Sequence, residues 1–417
     1  MLMLAYVVGY VDRQVLSLLA VPIKASLGLS ETELGALQGF AFGTFYTLLG
    51  LPIARLVDRS NRRNLLALGI TVWSLMTATC GLARNFLELL LARIGVGVGE
   101  ATLAPAAVSL IGDYFAPRQR AVALGLYISA GSMGGGLAYL LGAAAIAWTE
   151  TWDRGGIVLL ETMQPWQVVF VLVGLPGLLV ATLLLAVGEP RRRECAPGAA
   201  DDRLFSAPFR ALLRRRGALF GWHFVGFGLY SVATYAVLSW VAVHFIRAFS
   251  WSPERFGFAF GWVFLFGGAA GAVTGGWVAA WMRKRGWRAP DLTTAALGAT
   301  LSIPAMVGGC LALSPTLALA FLAVGMFLIA FPSAPSVAAF QEVTPNEFRG
   351  RVSALYYLNI NLVGLGFGAL AVGVVSDSLL GTDQRVGLSM AIVMLLFAPP
   401  GVACLWRARQ VRLRDAD

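Results

Sequence analysis

Runs of close to twenty apolar residues recur from end to end of this 417-residue chain, with basic residues gathered between them. A run of that length suits a helix crossing the hydrocarbon core of a bilayer, where backbone polar groups must be bonded within their own segment. With 58% hydrophobic and 13% charged residues and a mean hydropathy of +0.74, the chain has too few polar groups to cover a soluble globule. The fold class expected is an all-α membrane protein. Twelve transmembrane segments are read at roughly 2 to 22, 34 to 57, 64 to 84, 87 to 112, 121 to 147, 166 to 187, 217 to 246, 255 to 282, 291 to 313, 316 to 341, 350 to 376 and 386 to 406.

The net charge of +10 does not point to nucleic acid, because of where the basic residues fall. Connections after the even-numbered segments, together with the C-terminal tail, hold about 23 Lys and Arg, against about 6 in the opposite set. Basic loops are cytoplasmic, so both termini are expected in the cytoplasm of a multi-pass protein, in the cell (inner) membrane if the source is bacterial. The first segment has no basic flank before it and carries Asp12 and Arg13 in its middle, so it reads as a retained helix, not a signal peptide. Residues 188–216, rich in Arg and Pro, read as a cytoplasmic linker between an N-terminal six-helix bundle (1–187) and a C-terminal one with a short basic tail (217–417). An internal echo supports two pseudo-symmetric halves. Pro117, Arg120 and Tyr127 recur as Pro345, Arg349 and Tyr356, each Arg preceding its Tyr by seven residues and each motif leading into a glycine-rich stretch.

Charge inside such segments is costly and marks a substrate, ion or proton path. Asp12 and Glu100 are the acids deep in apolar segments, and Arg93 lies two turns from Glu100. At 1.5 Å per residue, Arg93 falls about 10 Å and Glu100 about 20 Å below the outer end of the fourth segment, while Asp12 falls about 16 Å from the inner end of the first. If both segments face one cavity, Asp12, Arg93 and Glu100 form a polar cluster near the midplane. Arg93 suits an anion, because guanidinium holds carboxylate or phosphate through a fixed fork of donors. Asp12 and Glu100 are candidate proton-coupling sites, and a structural ion pair joining two helices is the alternative use of the same residues. Arg13, rotated about 100° from Asp12, is expected on another surface. Asp58, Arg59 and Arg62, with Arg63, follow the second segment and are candidates for a cytoplasmic gate. Tyr230 and Phe331 are candidate substrate-binding residues; with Phe227, His223, Tyr235, Ser333, Asn359 and Asn361 they line a cavity or serve ordinary helix packing.

Enzyme readings find no support. Neither lysine, Lys24 nor Lys284, sits in a phosphate-binding Gly-Lys-Ser/Thr context. His223 and His244 are too few and too far apart for a metal cluster, Cys80, Cys195, Cys310 and Cys404 have no ligand spacing, and no nucleophile elbow is present. No cofactor and no metal are expected. Gly95, Gly97 and Gly99 imitate a dinucleotide fingerprint but lie within an apolar helix, where close glycines serve packing, as do Gly131 with Gly135, Gly364 with Gly368, and Gly267, Gly271 and Gly275.

The twelve-segment layout and ARLVDRSNRR from Ala54 resemble the major facilitator superfamily, whose loop signature has Gly where Ala54 and Asn61 stand. GYVDRQVLSLLAVPIK, LSETELGALQGFAF and LLLARIGVGVGEATLAPAAVSLIGDYFAPRQR resemble its spinster branch of lysolipid and sphingosine-1-phosphate transporters, strongly in the N-terminal half and in general form beyond it. The resemblance implies that Asp12, Arg93 and Glu100 are functional positions, the last two in the branch's Arg-x6-Glu pattern. GSMGGG lacks the proline of the superfamily's antiporter motif, so no direction of coupling follows. The expected function is an alternating-access carrier, proton-coupled, for an amphipathic lipid-like anion, its partners being that solute, protons and the bilayer, and its state a monomer. The alternatives are a proton-coupled exporter of hydrophobic compounds, and a transport-inactive sensor or lipid scramblase.

Overall fold

A computed structural model describes residues 1–151, 162–192, 206–382 and 384–414. Cys195 and the middle of the expected linker lie outside the described residues. Eleven helices among those described are long and apolar enough to cross a membrane. In chain order the helices are α1 (Leu2–Leu27), α2 (Glu31–Arg59), α3 (Arg62–Cys80), α4 (Phe86–Tyr114), α5 (Pro117–Thr151), α6 (Pro165–Leu185), α7 (Gly217–Phe249), α8 (Pro253–Lys284), α9 (Pro290–Leu311), α10 (Pro315–Glu342), α11 (Asn346–Leu380) and α12 (Val386–Arg414). Helix α3 is the twelfth and the most polar, because Thr71, Ser74, Thr77 and Thr79 interrupt its apolar face. A short helix over Ala207–Arg215 precedes α7.

Local chemistry sets the ends. Gly28 closes α1 in the left-handed region (φ 64°), and Ser30 opens α2 through a reciprocal capping box with Glu33. Asn61 caps α3 through the Asn64 N–H, and Asn85 caps α4 through the Glu88 N–H. Helix α4 is broken at Ala101–Thr102, one residue past Glu100, since Pro105 has no N–H to offer the Ala101 carbonyl. Helix α10 breaks in the same way at Phe331–Pro332, with Pro335 four residues after Phe331. Thus Glu100-Ala-Thr-Leu-Ala-Pro105 and Ala330-Phe-Pro-Ser-Ala-Pro335 are one local structure used twice, and Glu100 corresponds to the apolar Ala330. The arginines of the Arg/Tyr echo also act alike: Arg120 Nε donates to Phe115 O at the end of α4, and Arg349 Nε to Thr344 O and Gln341 O at the end of α10.

The chain forms two compact units interleaved in sequence. The first comprises Met1–Arg193, Ser239–Leu265 and Ala369–Ser389; the second comprises Glu194–Leu238, Phe266–Gly368 and Met390–Asp417. In the first, α4 and α3 approach so closely that a Cβ on Gly99 would stand 2.6 Å from Trp73 N and 2.7 Å from Gly69 O. In the second, Gly271 and Gly275 of α8 lie against the Phe327 and Phe331 carbonyls of α10, and Gly364 and Gly368 of α11 against Ser231 and Val232 of α7. The four-residue glycine spacings therefore serve close helix packing.

Candidate functional site

In the first unit, α1, α3 and α4 bring Asp12, Arg93 and Glu100 together, each almost fully buried. Gly9 makes the approach possible: a Cβ there would lie 2.9 Å from Glu100 Oε1. Gly9 and Arg13 are one turn apart on α1 and share the face turned to α4. Arg13 accordingly forks onto Glu100, with Nε 2.9 Å from Oε2 and Nη2 bonded to Oε1. Its guanidinium lies 4.5 Å from the ring centre of Phe42, 5.1 Å from Tyr46 and 5.2 Å from Tyr10. The expectation that Arg13 faces another surface is corrected here. The 100° between Asp12 and Arg13 separates two sides of one cluster, and the glycine one turn earlier is the sequence signal that was passed over.

Arg93 pairs with neither carboxylate. Its Nη1 donates to the Asp12 backbone carbonyl at 3.2 Å, its guanidinium lies 5.6 Å from the Phe42 ring centre, and its Nε has no partner among the described residues. The Thr77 hydroxyl faces the Asp12 carboxylate, and neither has a hydrogen-bond partner within 3.5 Å among the described residues. Gln38, in a π turn over Ala36–Phe40 of α2, is buried, and neither of its amide atoms has a hydrogen-bond partner among the described residues. Buried polar groups are nearly always satisfied, so the open ones gathered here single this cluster out as the candidate site.

The expected gate residues separate. Asp58 and Arg59 are exposed. Arg62 is buried and holds three elements: its Nε reaches Glu189 Oε1 at 2.8 Å, its Nη1 bonds Asp113, Ser109 Oγ (3.1 Å) and Ser109 O (3.3 Å), and its Nη2 donates to Pro190 O at 2.9 Å. The second Glu189 oxygen accepts the Arg63 N–H at 2.9 Å. In the second unit, Tyr230 shares a 2.7 Å hydrogen bond with Ser302 Oγ, and Phe331 packs at the α10 break over Gly298. His223 Nε2 meets Ser336 O at 3.0 Å, and Asn359 Nδ2 donates to Phe224 O at 2.7 Å.

A second polar cluster in the first unit went unnoticed in the sequence. Glu31, 1% exposed, pairs with Lys24 and with Arg247 at 3.0 Å. Asp377 accepts from Thr32 Oγ1 (2.6 Å), Thr32 N (2.7 Å) and Glu31 N (3.2 Å), capping α2 from a segment 345 residues away. The C-terminal ends of α1, α7 and α11 and the start of α2 are tied there.

The chain matches the Major Facilitator Superfamily over residues 2–369. It is 30% identical over 412 residues to an MFS-type efflux pump of Mycolicibacterium smegmatis, covering 98% of this chain and 91% of that protein. It is 30% identical over 298 residues to a probable L-galactonate transporter of Escherichia coli, covering 69% of this chain and 62% of that protein. Among solved structures, a bacterial homolog of the human lysosomal transporter Spinster, in an inward-facing, unoccupied conformation, superposes with a TM-score of 0.85 at 26% identity, over 99% of this chain and 96% of that one.

Proposed function

The chain belongs to the major facilitator superfamily, in its spinster-like branch, and from that premise we propose that it is a proton-coupled alternating-access carrier of an amphipathic organic anion of the lysophospholipid or sphingosine-1-phosphate type. The observation that carries the proposal is Arg93: a buried guanidinium whose Nη1 donates to a carbonyl while its Nε has no partner among the described residues, beside the buried Asp12 carboxylate. A guanidinium binds a carboxylate or phosphate through paired, charge-assisted bonds, which exceed a single bond to a neutral carbonyl. The L-galactonate named for the E. coli relative and the phosphate lipids of the spinster branch share an anionic head, which supports the solute's charge.

Asp12 and Glu100 carry the coupling in this reading. Glu100 as carboxylate holds Arg13; protonated, it releases that guanidinium to the arriving anion and loosens the contact between α1 and α4. A proton and a solute thereby bias the same pair of helices, as coupled switching requires. Asp58 and Arg59 serve the cytoplasmic gate and Arg62 fixes the connection that carries them. Tyr230 and Phe331 contribute aromatic faces alone, since the Tyr230 hydroxyl is held by Ser302.

The test is uptake of labelled lysophosphatidic acid into proteoliposomes with unlabelled competitors. Competition by other single-chain phosphate lipids, and none by cationic drugs, supports the proposal. Broad competition favours an exporter of hydrophobic compounds, the reading suggested by the M. smegmatis relative. A disulfide between Thr32→Cys and Asp377→Cys, in a background free of other cysteines, is expected to abolish uptake by holding the outer ends of α2 and α11 together. Uptake that survives the lock indicates a scramblase.

A further inference from the structure

Among the described residues, Gln38 of α2 is the one buried carboxamide with neither its nitrogen nor its oxygen hydrogen-bonded. An amide taken out of water without a replacement bond destabilises the fold, so a glutamine at such a place calls for a use other than packing. The backbone singles out the same position. Ala36–Phe40 forms a π turn, wider than the α-helix that follows it, and such turns recur at functional sites. The turn packs against both α1 and α4, the helices that carry Asp12 and Arg93.

The level of Gln38 follows from two contacts. A Cβ on Gly97 of α4 would stand 2.8 Å from Phe42 O and 3.3 Å from Tyr46 N of α2. One spanning helix separates α2 from α4 in sequence, so the two run in the same sense, and four residues back along both Arg93 falls level with residues 38–42. The Arg93 guanidinium accordingly lies 5.6 Å from the ring centre of Phe42, and Gln38, four residues before Phe42, shares its face. An amide with both ends open thus stands in the layer of a guanidinium whose Nε is open.

We propose that Gln38 is a further solute-binding and specificity-determining residue, which reads a hydroxyl group next to the anion held by Arg93; this rests on the transport reading above. A guanidinium takes carboxylate and phosphate alike, so Arg93 by itself does not tell one oxyanion from another. A carboxamide presents donors and an acceptor side by side, and a hydroxyl, which both donates and accepts, satisfies the two ends together. A solute without that hydroxyl leaves the amide unpaired in a closed site, the situation in which a binding site discriminates most strongly. The carrier is thereby narrowed to anions with a hydroxyl beside the charged group.

The experiment is uptake into proteoliposomes of two matched pairs, one a phosphate and one a carboxylate: lysophosphatidic acid with its 2-deoxy analogue, and gluconate with 2-deoxygluconate. The wild type is expected to prefer the hydroxylated member of a pair it carries by about tenfold in Vmax/KM, the effect of one unmade bond to a buried amide. Gln38→Met is expected to carry the two members equally, through loss of the hydroxylated one. Its unfolding temperature without solute is expected not to fall, since a thioether of similar length removes an unpaired polar group from the interior. A packing role alone would lower uptake of both members alike and leave the preference. Preference within the gluconate pair and no uptake of either lipid keeps the role of Gln38 and overturns the lipid solute. Equal uptake of both members by the wild type, an undiminished preference in Gln38→Met, or uptake of neither pair overturns the inference.

Discussion

Replacing Arg62 with alanine is expected to lower the unfolding free energy of the purified protein by about 1.5–3 kcal/mol, the cost of losing hydrogen bonds to charged, partly buried partners. The side chain is 1% exposed, and its acidic partners Asp113 and Glu189 are 13% and 22% exposed, so solvent replaces the lost charge only in part. Removing the guanidinium also strands Ser109 O and Pro190 O, and with them the attachment of α3 to the ends of α4 and α6. Arg62→Lys is expected to recover part of the loss, because an ammonium cannot fork between Asp113 and Glu189. Thermal or denaturant unfolding checks this. A loss below about 1 kcal/mol would place the network with exposed ion pairs and remove its structural role.

The second large effect concerns the pair on α1 and α4. Arg13→Gln and Glu100→Gln are each expected to destabilise the protein, and the double substitution less than the sum of the two. A coupling in the range of about 0.5–3 kcal/mol is expected for groups in direct contact. The reason is geometric: the fork, the Gly9 contact and the Phe42 and Tyr46 rings hold one guanidinium against one carboxylate, and removing either partner leaves the other buried alone. Arg93→Gln combined with Glu100→Gln is the comparison and is expected to show a smaller coupling, since these two side chains share no hydrogen bond and interact only through their charges. Coupling in the Arg93 cycle and none in the Arg13 cycle would reverse the pairing described here.

Much of this was legible in the residues. Length and apolarity give the spanning helices, and the caps at Ser30, Asn61 and Asn85 can be read directly, because each depends on neighbours within a few positions. The depth estimates put Asp12 and Glu100 at similar levels, with Arg93 about 10 Å along the same helix from Glu100, since rise per residue is nearly constant along a helix. What depth cannot give is azimuth between helices, so the pairing of Arg13 with Glu100 is not legible from it. The tie between Thr32 and Asp377 was equally hidden: its members are 345 residues apart and no local pattern links them. Arg62 looked like part of a gate because a basic loop and a buried hub have the same sequence, and only packing distinguishes them. Residue type marks Tyr230 for a cavity wall or for helix packing alike, and the bond of its hydroxyl to Ser302 is visible only once α7 and α9 are packed.

The most direct measurement is uptake of labelled lysophosphatidic acid or sphingosine-1-phosphate into proteoliposomes, with and without an imposed pH gradient, for the wild type, Glu100→Gln and Arg93→Ala. The account expects flux that responds to the gradient in the wild type, flux without that response in Glu100→Gln, and loss of flux in Arg93→Ala. Flux of these lipids unchanged by either substitution would contradict the assignment of the buried cluster, and no flux in the wild type would contradict the solute class.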